Sequence, residues 1–223
     1  MADAETMQLG TRTRVIAITK GIYGESAENI IGYVARVSNP SNQVNVDTMP
    51  RLLAYCIKNQ HWSIFETASM TVEIAGVSRA ISAQLLRHRS FTFQEFSQRY
   101  AEPTEYDHVW GRRQAVGNRQ SSINDLDEVI VAQFDEMQTD VWNTCKAAYD
   151  NAIRMGVSRE QARFLLPLST STTLYMTGNI RSWIHYLQLR SSESTQEEHR
   201  IIAEQISVIF KEHFPAIEQA MTL

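Results

Sequence analysis

The 223-residue chain has only two cysteines, Cys56 and Cys145, and no long hydrophobic run. Each cysteine lies among apolar residues at helical spacing, which predicts a small buried side chain and argues against a disulfide or a reactive thiolate. No stretch approaches the roughly 18 consecutive apolar residues that a membrane span needs, and residues 1–14 lack the apolar segment of a signal peptide. The sequence therefore predicts a cytoplasmic protein with no membrane association.

Basic residues are not in excess either. The chain carries 21 Lys and Arg against 25 Asp and Glu, a formal net charge of -4. Proteins whose whole surface binds nucleic acid usually have a clear positive excess, so any anion site here is expected to be local. Six histidines raise the alternative of a metal-dependent hydrolase, and Glu105 with His108 forms one i, i+3 pair. Because carboxylate-bridged metal sites need several such pairs, no metal site is predicted.

The hydrophobic pattern, by contrast, is regular over most of the chain. It predicts strands at residues 12–19 and 70–75, the second ended by Gly76, and helices that begin after Ser26, Asp47 and Ser78. Capping boxes at Ser158 and Ser194 predict two more helix starts. A long amphipathic helix is predicted from about residue 124 to residue 155, with an inward face formed by Ile130, Phe134, Met137, Val141, Cys145, Ala148 and Ala152. With no linker or repeat, the chain is expected to form one α+β domain, residues 1–223, in which an antiparallel-type sheet packs with several long helices.

Polar chemistry is concentrated first in residues 87–100, which combine three arginines, a histidine, a carboxylate and several hydroxyls. The segment follows a predicted helix, so its polar side chains can surround an anion, and the planar guanidinium of arginine suits phosphate. Two alternatives stay open at this point. One is an ordinary solvated basic turn; the other is a nucleic-acid contact in which Phe91, Phe93 and Tyr100 stack on bases.

A second concentration lies at residues 163–168 and 179–190. Helical spacing puts the apolar side chains of the later segment on one buried stripe, with Arg181 and His185 on one flank and Asn179 and Arg190 on the other. The bland interpretation is an amphipathic helix whose arginines face water. The members of the expected buried stripe are Ile180, Trp183, Ile184 and Leu187.

The first segment contains a spaced motif. Arg-His-Arg at residues 87–89 is followed by seven residues and then Ser97, with Glu95 two residues before that serine. Arg99 and Tyr100 follow the serine closely.

Further patterns flank this motif in order along the chain. His61, Ser63 and Glu66 match His-x-Ser/Thr-x-x-Glu, residues 162–168 read Ala-Arg-x-x-Leu-Pro-Leu, and residues 179–190 read Asn-x-Arg-Ser followed by Leu-x-x-Arg. Taken together, residues 61–190 resemble the flavin-dependent thymidylate synthases. The departures from the family pattern are Thr67, where many members have histidine, Gln94, where asparagine is frequent, and His185, where asparagine occurs.

The resemblance implies reductive methylation of dUMP to dTMP, with FAD as cofactor, methylene-tetrahydrofolate as carbon donor and NADPH as reductant. It implies that reduced flavin supplies hydride to the pyrimidine, that Arg190 polarises the uracil, and that no cysteine acts as nucleophile. It also implies a homotetramer whose active sites are shared between subunits. The dUMP-binding residues it implies are Gln84, Leu85, Leu86, Arg87, Glu95, Phe96, Ser97, Gln98, Arg99, Arg163 and Arg190. The FAD-binding residues it implies are Ser63, Arg87, His88, Arg89, Glu95, Asn179, Ile180, Arg181 and His185.

Overall fold

The computed structural model describes residues 12–221. The strands are β1 (Arg12–Ile18), β2 (Ser69–Ser78), β3 (Thr92–Glu95), β4 (Arg113–Gln114), β5 (Ser122–Ile123) and β6 (Ser171–Asn179). The helices are α1 (Ala27–Ala35), α2 (Met49–Lys58), α3 (Arg79–Leu85), α4 (Glu128–Arg154), α5 (Arg159–Ala162), α6 (Ile180–Arg190), α7 (Glu197–His213) and α8 (Pro215–Met221). Short 3-10 helices lie at Pro40–Asn42, Trp62–Glu66 and Arg163–Leu165.

Four strands form one antiparallel sheet in the order β1-β2-β6-β3, and β4 pairs with β5 as a separate hairpin. The prediction that Gly76 ends the second strand was wrong. Gly76 has a φ of 68°, and the pairing register with β6 shifts between Ala75 and Val77, so the glycine forms a bulge and the strand continues to Ser78. The central strand β6 was not predicted, because its side chains include four threonine or serine residues and its sequence does not alternate clearly.

The core lies between this sheet and the helices that follow its strands. Val72 and Leu174 on neighbouring strands are fully buried, as are Trp183 on α6 and Phe210 on α7. The indole nitrogen of Trp183 donates to the Met70 carbonyl at 3.1 Å, so the helix is fixed to the sheet by a directed bond as well as by apolar packing. The predicted buried stripe of α6 is confirmed for its four members, each of which is at most 3% exposed: Ile180, Trp183, Ile184 and Leu187.

Two of the four predicted helix caps are confirmed. The hydroxyl oxygens of Ser26 and Ser78 accept hydrogen bonds from backbone amides in the first turns of α1 and α3, at 3.2 and 3.1 Å. The predicted helix start at Ser158 is confirmed, since Ser158 is the N-cap residue of α5, but its side chain makes no capping hydrogen bond. The start predicted at Ser194 was wrong, because α7 begins after Gln196, two residues later. Ser194 instead shares a hydrogen bond with the hydroxyl of Ser192.

The long helix α4 exists, but its predicted inward face was wrong. Ile130, Phe134, Met137 and Val141 are between 38% and 61% exposed, whereas Trp142 and two other side chains of the helix are buried. Hydrophobic spacing predicts that a helix has an apolar stripe, but it does not show whether the stripe faces the core or the surface of the chain. A surface stripe and a core stripe have the same sequence pattern. Cys145, on the same helix, is half-buried and free, whereas Cys56 is buried and free as predicted.

Within residues 12–221, no helix combines the length and the hydrophobicity that crossing a membrane requires.

Candidate active site

The helix α3 carries the first group of predicted site residues. Capped by Ser78, it ends at Leu85 and delivers the Arg-His-Arg motif to the turn that follows. Arg87 and Arg89 are exposed, and neither makes an ion pair with a carboxylate among residues 12–221. Unpaired guanidinium groups side by side repel one another and favour an anion, so this turn is a ready anion site.

The other predicted residues at the end of this helix differ in whether their side chains are free to contact a ligand. Gln84 donates from its side-chain amide to the side chain of Gln196, at the start of α7. Leu85 is fully buried, so only its backbone can contact a ligand, whereas Leu86 is 44% exposed. Gln196 was not identified from the sequence.

Arg190 at the end of α6 meets the Arg-His-Arg turn. Its Nε donates to Nε2 of His88 at 3.1 Å. Burial, together with the positive charges of Arg190 and Arg87, lowers the pKa of His88 to about 4, so the imidazole is neutral at physiological pH and accepts this bond. Two sequence motifs that are 102 residues apart therefore form one cationic group.

Asn179 and Ser182 connect the start of α6 to the same turn. The side-chain oxygen of Asn179 caps the helix by accepting from the Ser182 amide at 2.9 Å, and the Ser182 hydroxyl also reaches the Ser90 carbonyl at 3.3 Å. Ile180 is fully buried and can offer a ligand only its backbone. Gly178 allows the ring of Phe91 to pack closely against the end of β6, since a Cβ at position 178 would lie 2.5 Å from that ring.

Arg181 and His185 lie on the outer face of α6, against the 3-10 helix Trp62–Glu66. Arg181 forms an ion pair with Glu66, and the His185 ring lies 4.6 Å from the Trp62 ring in an edge-on arrangement. Ser63, on this 3-10 helix, is exposed. These side chains form an aromatic and polar surface. It lies at the end of the sheet where β6 meets α6, which is also the end next to the Arg-His-Arg turn.

Glu95 occupies a second, separate polar group at the end of β3. Its Oε1 accepts from the Ser82 hydroxyl at 2.6 Å and from the Thr172 hydroxyl at 3.1 Å, and it pairs with Arg79 at 3.0 Å. Arg79 also donates to the Phe96 carbonyl at 2.7 Å, so it holds both residues before Ser97 in place. Sequence reasoning missed Arg79, although its position directly after the helix cap Ser78 was a usable signal.

The loop beyond Glu95 brings further predicted residues to this group. Ser97 accepts from the Arg99 amide at 3.3 Å, while the Arg99 guanidinium pairs with Glu160 at 3.2 Å. Arg163 donates to the Glu160 carbonyl at 3.2 Å and makes no carboxylate ion pair within the described part of the chain. Burial lowers the pKa of Arg79, the charge of Glu95 opposes this, and the charge of Arg163 lowers the pKa further, which places Arg163 beside the Glu95 group. Gln98 is 9% exposed.

The two groups lie at opposite ends of β3. Glu95 pairs with Leu174, whereas Ser90 and Ser182 lie by Asn179, five residues further along β6. At about 3.4 Å per residue, the five residues from Leu174 to Asn179 span roughly 17 Å of β6. The candidate residues fall into two half-sites, one built around Arg87, His88 and Arg190 and one built around Glu95, Ser97 and Arg163. The helix α3 contacts both, because its Ser82 donates to Glu95 and its C-terminal end leads into Arg87.

Several contacts bear on the alternatives that the sequence left open. Phe91 is 9% exposed and packs 4.8 Å from Trp183, so it is unavailable for stacking on a base. His108 pairs with Asp135 at 3.2 Å, and Glu105 contributes its backbone carbonyl to Ser171. Among residues 12–221, no group of three or more His, Cys, Asp or Glu side chains is arranged to hold a metal ion.

Comparison with known proteins identifies the family. The family model described as "Thymidylate synthase complementing protein" matches residues 17–216. A flavin-dependent thymidylate synthase from Synechocystis sp. is 48% identical over 213 residues, which cover 93% of this chain and 98% of that one. The chain belongs to the flavin-dependent thymidylate synthase family, and it is an enzyme of that class.

A second member of the family and a solved structure are also similar to this chain. A probable flavin-dependent thymidylate synthase from Paramecium bursaria Chlorella virus 1 is 47% identical over 211 residues, covering 93% of this chain and 97% of the viral one. The crystal structure of the UMP/dUMP methylase PolB from Streptomyces cacaoi, bound with 5-Br dUMP, superposes with a TM-score of 0.81 at 25% identity and covers 95% of this chain and 94% of that one. The α+β fold with its antiparallel sheet is thus the expected one.

Proposed function

We propose that the protein converts dUMP to dTMP by reductive methylation, with bound FAD, methylene-tetrahydrofolate as carbon donor and NADPH as reductant. The observation that carries the proposal is the contact between Arg190 and His88, because it joins the two family motifs into one cationic group. Family membership and the 5-Br dUMP bound to the related methylase support the nucleotide substrate.

Arg190 is proposed to polarise the uracil ring. Its Nε is occupied by His88, while it has no carboxylate partner among the described residues, so its remaining N–H groups and its charge are available. A fixed guanidinium beside N3 and O2 stabilises negative charge that develops on the ring, and it needs no reorganisation when that charge appears.

The remaining dUMP contacts are proposed to come from both half-sites. Arg87, with Gln84 and the backbone of Leu85 and Leu86, belongs to the Arg190 half-site, and Ser97, with Arg99 and Arg163, is suited to the phosphate. Glu95, Phe96 and Gln98 complete the second half-site. As the family resemblance implies, we propose that the two half-sites of one active site come from two chains of a homotetramer.

FAD is proposed to lie against the outer face of α6. Ser63, Arg181 and His185 form a polar, aromatic surface there, and Asn179 with the Ile180 backbone continues it to the unpaired guanidinium of Arg89. This combination fits a cofactor that has both an aromatic ring system and a diphosphate. Bound FAD would supply the hydride, and the chain's own residues would orient the ring and the pyrimidine. The other proposed FAD contacts are Arg87, His88 and Glu95.

No cysteine is proposed as a nucleophile. Burial raises the pKa of the Cys56 thiol, which disfavours the thiolate, and Cys145 lies on α4, which carries none of the proposed site residues.

The direct test is anaerobic incubation of the purified protein with FAD, NADPH, methylene-tetrahydrofolate and dUMP, with dTMP measured by chromatography. We expect a yellow protein and dTMP that depends on every component. A colourless protein that makes no dTMP under these conditions would show the proposal to be wrong.

The role of Arg190 is tested by Arg190→Ala. We expect dTMP formation to fall by at least a hundredfold, the size of effect seen when one electrostatic donor is lost from an active site, while FAD stays bound. Arg51→Ala is the matched control, since Arg51 is exposed on α2, which carries none of the proposed site residues. Near-normal turnover by Arg190→Ala would exclude the assigned role.

A further inference from the structure

Arg190 is held by an unusual partner. Arginines that must stay in one orientation are commonly fixed by a carboxylate, often through two parallel hydrogen bonds. Here the acceptor is the Nε2 atom of His88, 3.1 Å from Nε, and no carboxylate pairs with Arg190 within residues 12–221. Only the Nε–H is used by this contact, so both terminal nitrogens remain for a ligand.

His88 is itself held by aromatic rings. Its ring centroid lies 5.1 Å from that of Tyr186, 5.7 Å from that of His199 and 6.3 Å from that of Phe91, and all three contacts are edge-on. Tyr186 and His199 are almost completely buried, so close packing restricts the movement of these two rings away from His88. The backbone adds two anchors, because the His88 amide donates to the Leu85 carbonyl and the His88 carbonyl accepts from the Phe91 amide.

The chemistry of a neutral acceptor differs from that of a carboxylate. A carboxylate would orient the guanidinium equally well, but it would also cancel its charge at close range in a partly buried site, where Coulomb interactions are strong. An imidazole that stays neutral orients the group and leaves the whole positive charge to act on whatever binds at the terminal nitrogens. The low pKa of His88 is consistent with this, since burial and the two flanking arginines oppose its protonation.

We propose that His88 is a positioning residue for Arg190: it fixes the guanidinium through a neutral acceptor so that the undiminished charge faces the pyrimidine. The identity of that ligand rests on the proposed function, whereas the contact itself does not. This role is separate from the flavin contact that the family resemblance implies for His88.

Three substitutions separate the possible roles. His88→Gln can place an amide oxygen where Nε2 lies, so it keeps a neutral acceptor. His88→Leu removes the acceptor, and His88→Glu keeps an acceptor but adds a negative charge. With FAD occupancy checked from the absorbance near 450 nm, we expect kcat for dTMP formation to stay within about threefold in His88→Gln and to fall at least tenfold in both others, since a hydrogen bond to a charged group is worth that much. His213→Leu, on α7, is the matched control.

Three outcomes would overturn the proposal or part of it. One is a His88→Leu enzyme with FAD bound and near-normal kcat. The other is loss of FAD in the Leu and Glu variants with retention in the Gln variant, which would assign His88 to the flavin alone. Equal activity of the Glu and Gln variants would refute the requirement for a neutral acceptor.

A double-mutant cycle tests the contact without turnover. Thermal unfolding of His88→Leu, Arg190→Leu and the double variant should give midpoint shifts that are not additive, because the two side chains are in direct contact. Additive shifts would contradict the contact. If the wild-type protein makes no dTMP, the proposed function fails, and the cycle still decides whether His88 holds Arg190.

Discussion

Replacing His199 by leucine should change how the stability of the protein depends on pH. His199 is fully buried on α7, and neither of its ring nitrogens has a hydrogen-bond partner among residues 12–221. Burial is the main cause that lowers its pKa to about 3, and the nearby charges of Arg190, His88 and Arg87 lower it further. Leucine has a similar volume and no proton to bind.

The sign and size follow from proton linkage. As the pH falls below the ordinary histidine pKa of about 6.5, the unfolded chain binds a proton at position 199 and the folded protein does not, so the folded state loses stability until the pH reaches about 3. Between pH 8 and pH 5 this loss is about 2 kcal/mol.

The assay is a comparison of wild type and His199→Leu by thermal unfolding at pH 8 and at pH 5, at one protein concentration because oligomer stability depends on it. Other groups also contribute in this range, but they are present in both proteins. They include Asp107, whose pKa burial raises to about 8, and His88, whose pKa is about 4 in the folded protein and near the ordinary value in the unfolded chain. The variant should gain about 4–8 °C on the wild type at pH 5 relative to pH 8. An identical difference at the two pH values would refute the reasoning.

Three more predictions follow from the structure. Arg79→Leu should lower the free energy of unfolding by about 1–3 kcal/mol in urea, because it leaves the partly buried Glu95 without its cation; an unchanged midpoint would contradict this. Met137→Asp, on the exposed apolar face of α4, should convert the proposed tetramer to smaller species in light scattering, whereas a variant that stays tetrameric would place the interface elsewhere. Ser97→Ala should retain substantial activity, since no covalent enzyme intermediate is proposed, and complete loss with dUMP still bound would reopen that question.

The sequence predicted those parts of the candidate site that depend on residues close together in the chain. The Arg-His-Arg motif with Ser97 and the segment that ends at Arg190 are readable as motifs, and the buried stripe of α6 follows from helical periodicity. The supports of the site were not readable in this way. Arg79 acts on Glu95 across 16 positions and Gln196 on Gln84 across 112, and neither separation leaves a periodic trace.

What the sequence determined by itself was the family, the α+β class and the chemical character of the two polar segments, because residue types and short spacings are local properties. The tertiary structure alone decided that His88 is the partner of Arg190, that the two half-sites lie at opposite ends of β3, and that the apolar stripe of α4 faces outward. These features depend on strand pairing and on which faces are covered, and both are set by contacts between residues that are far apart in the chain.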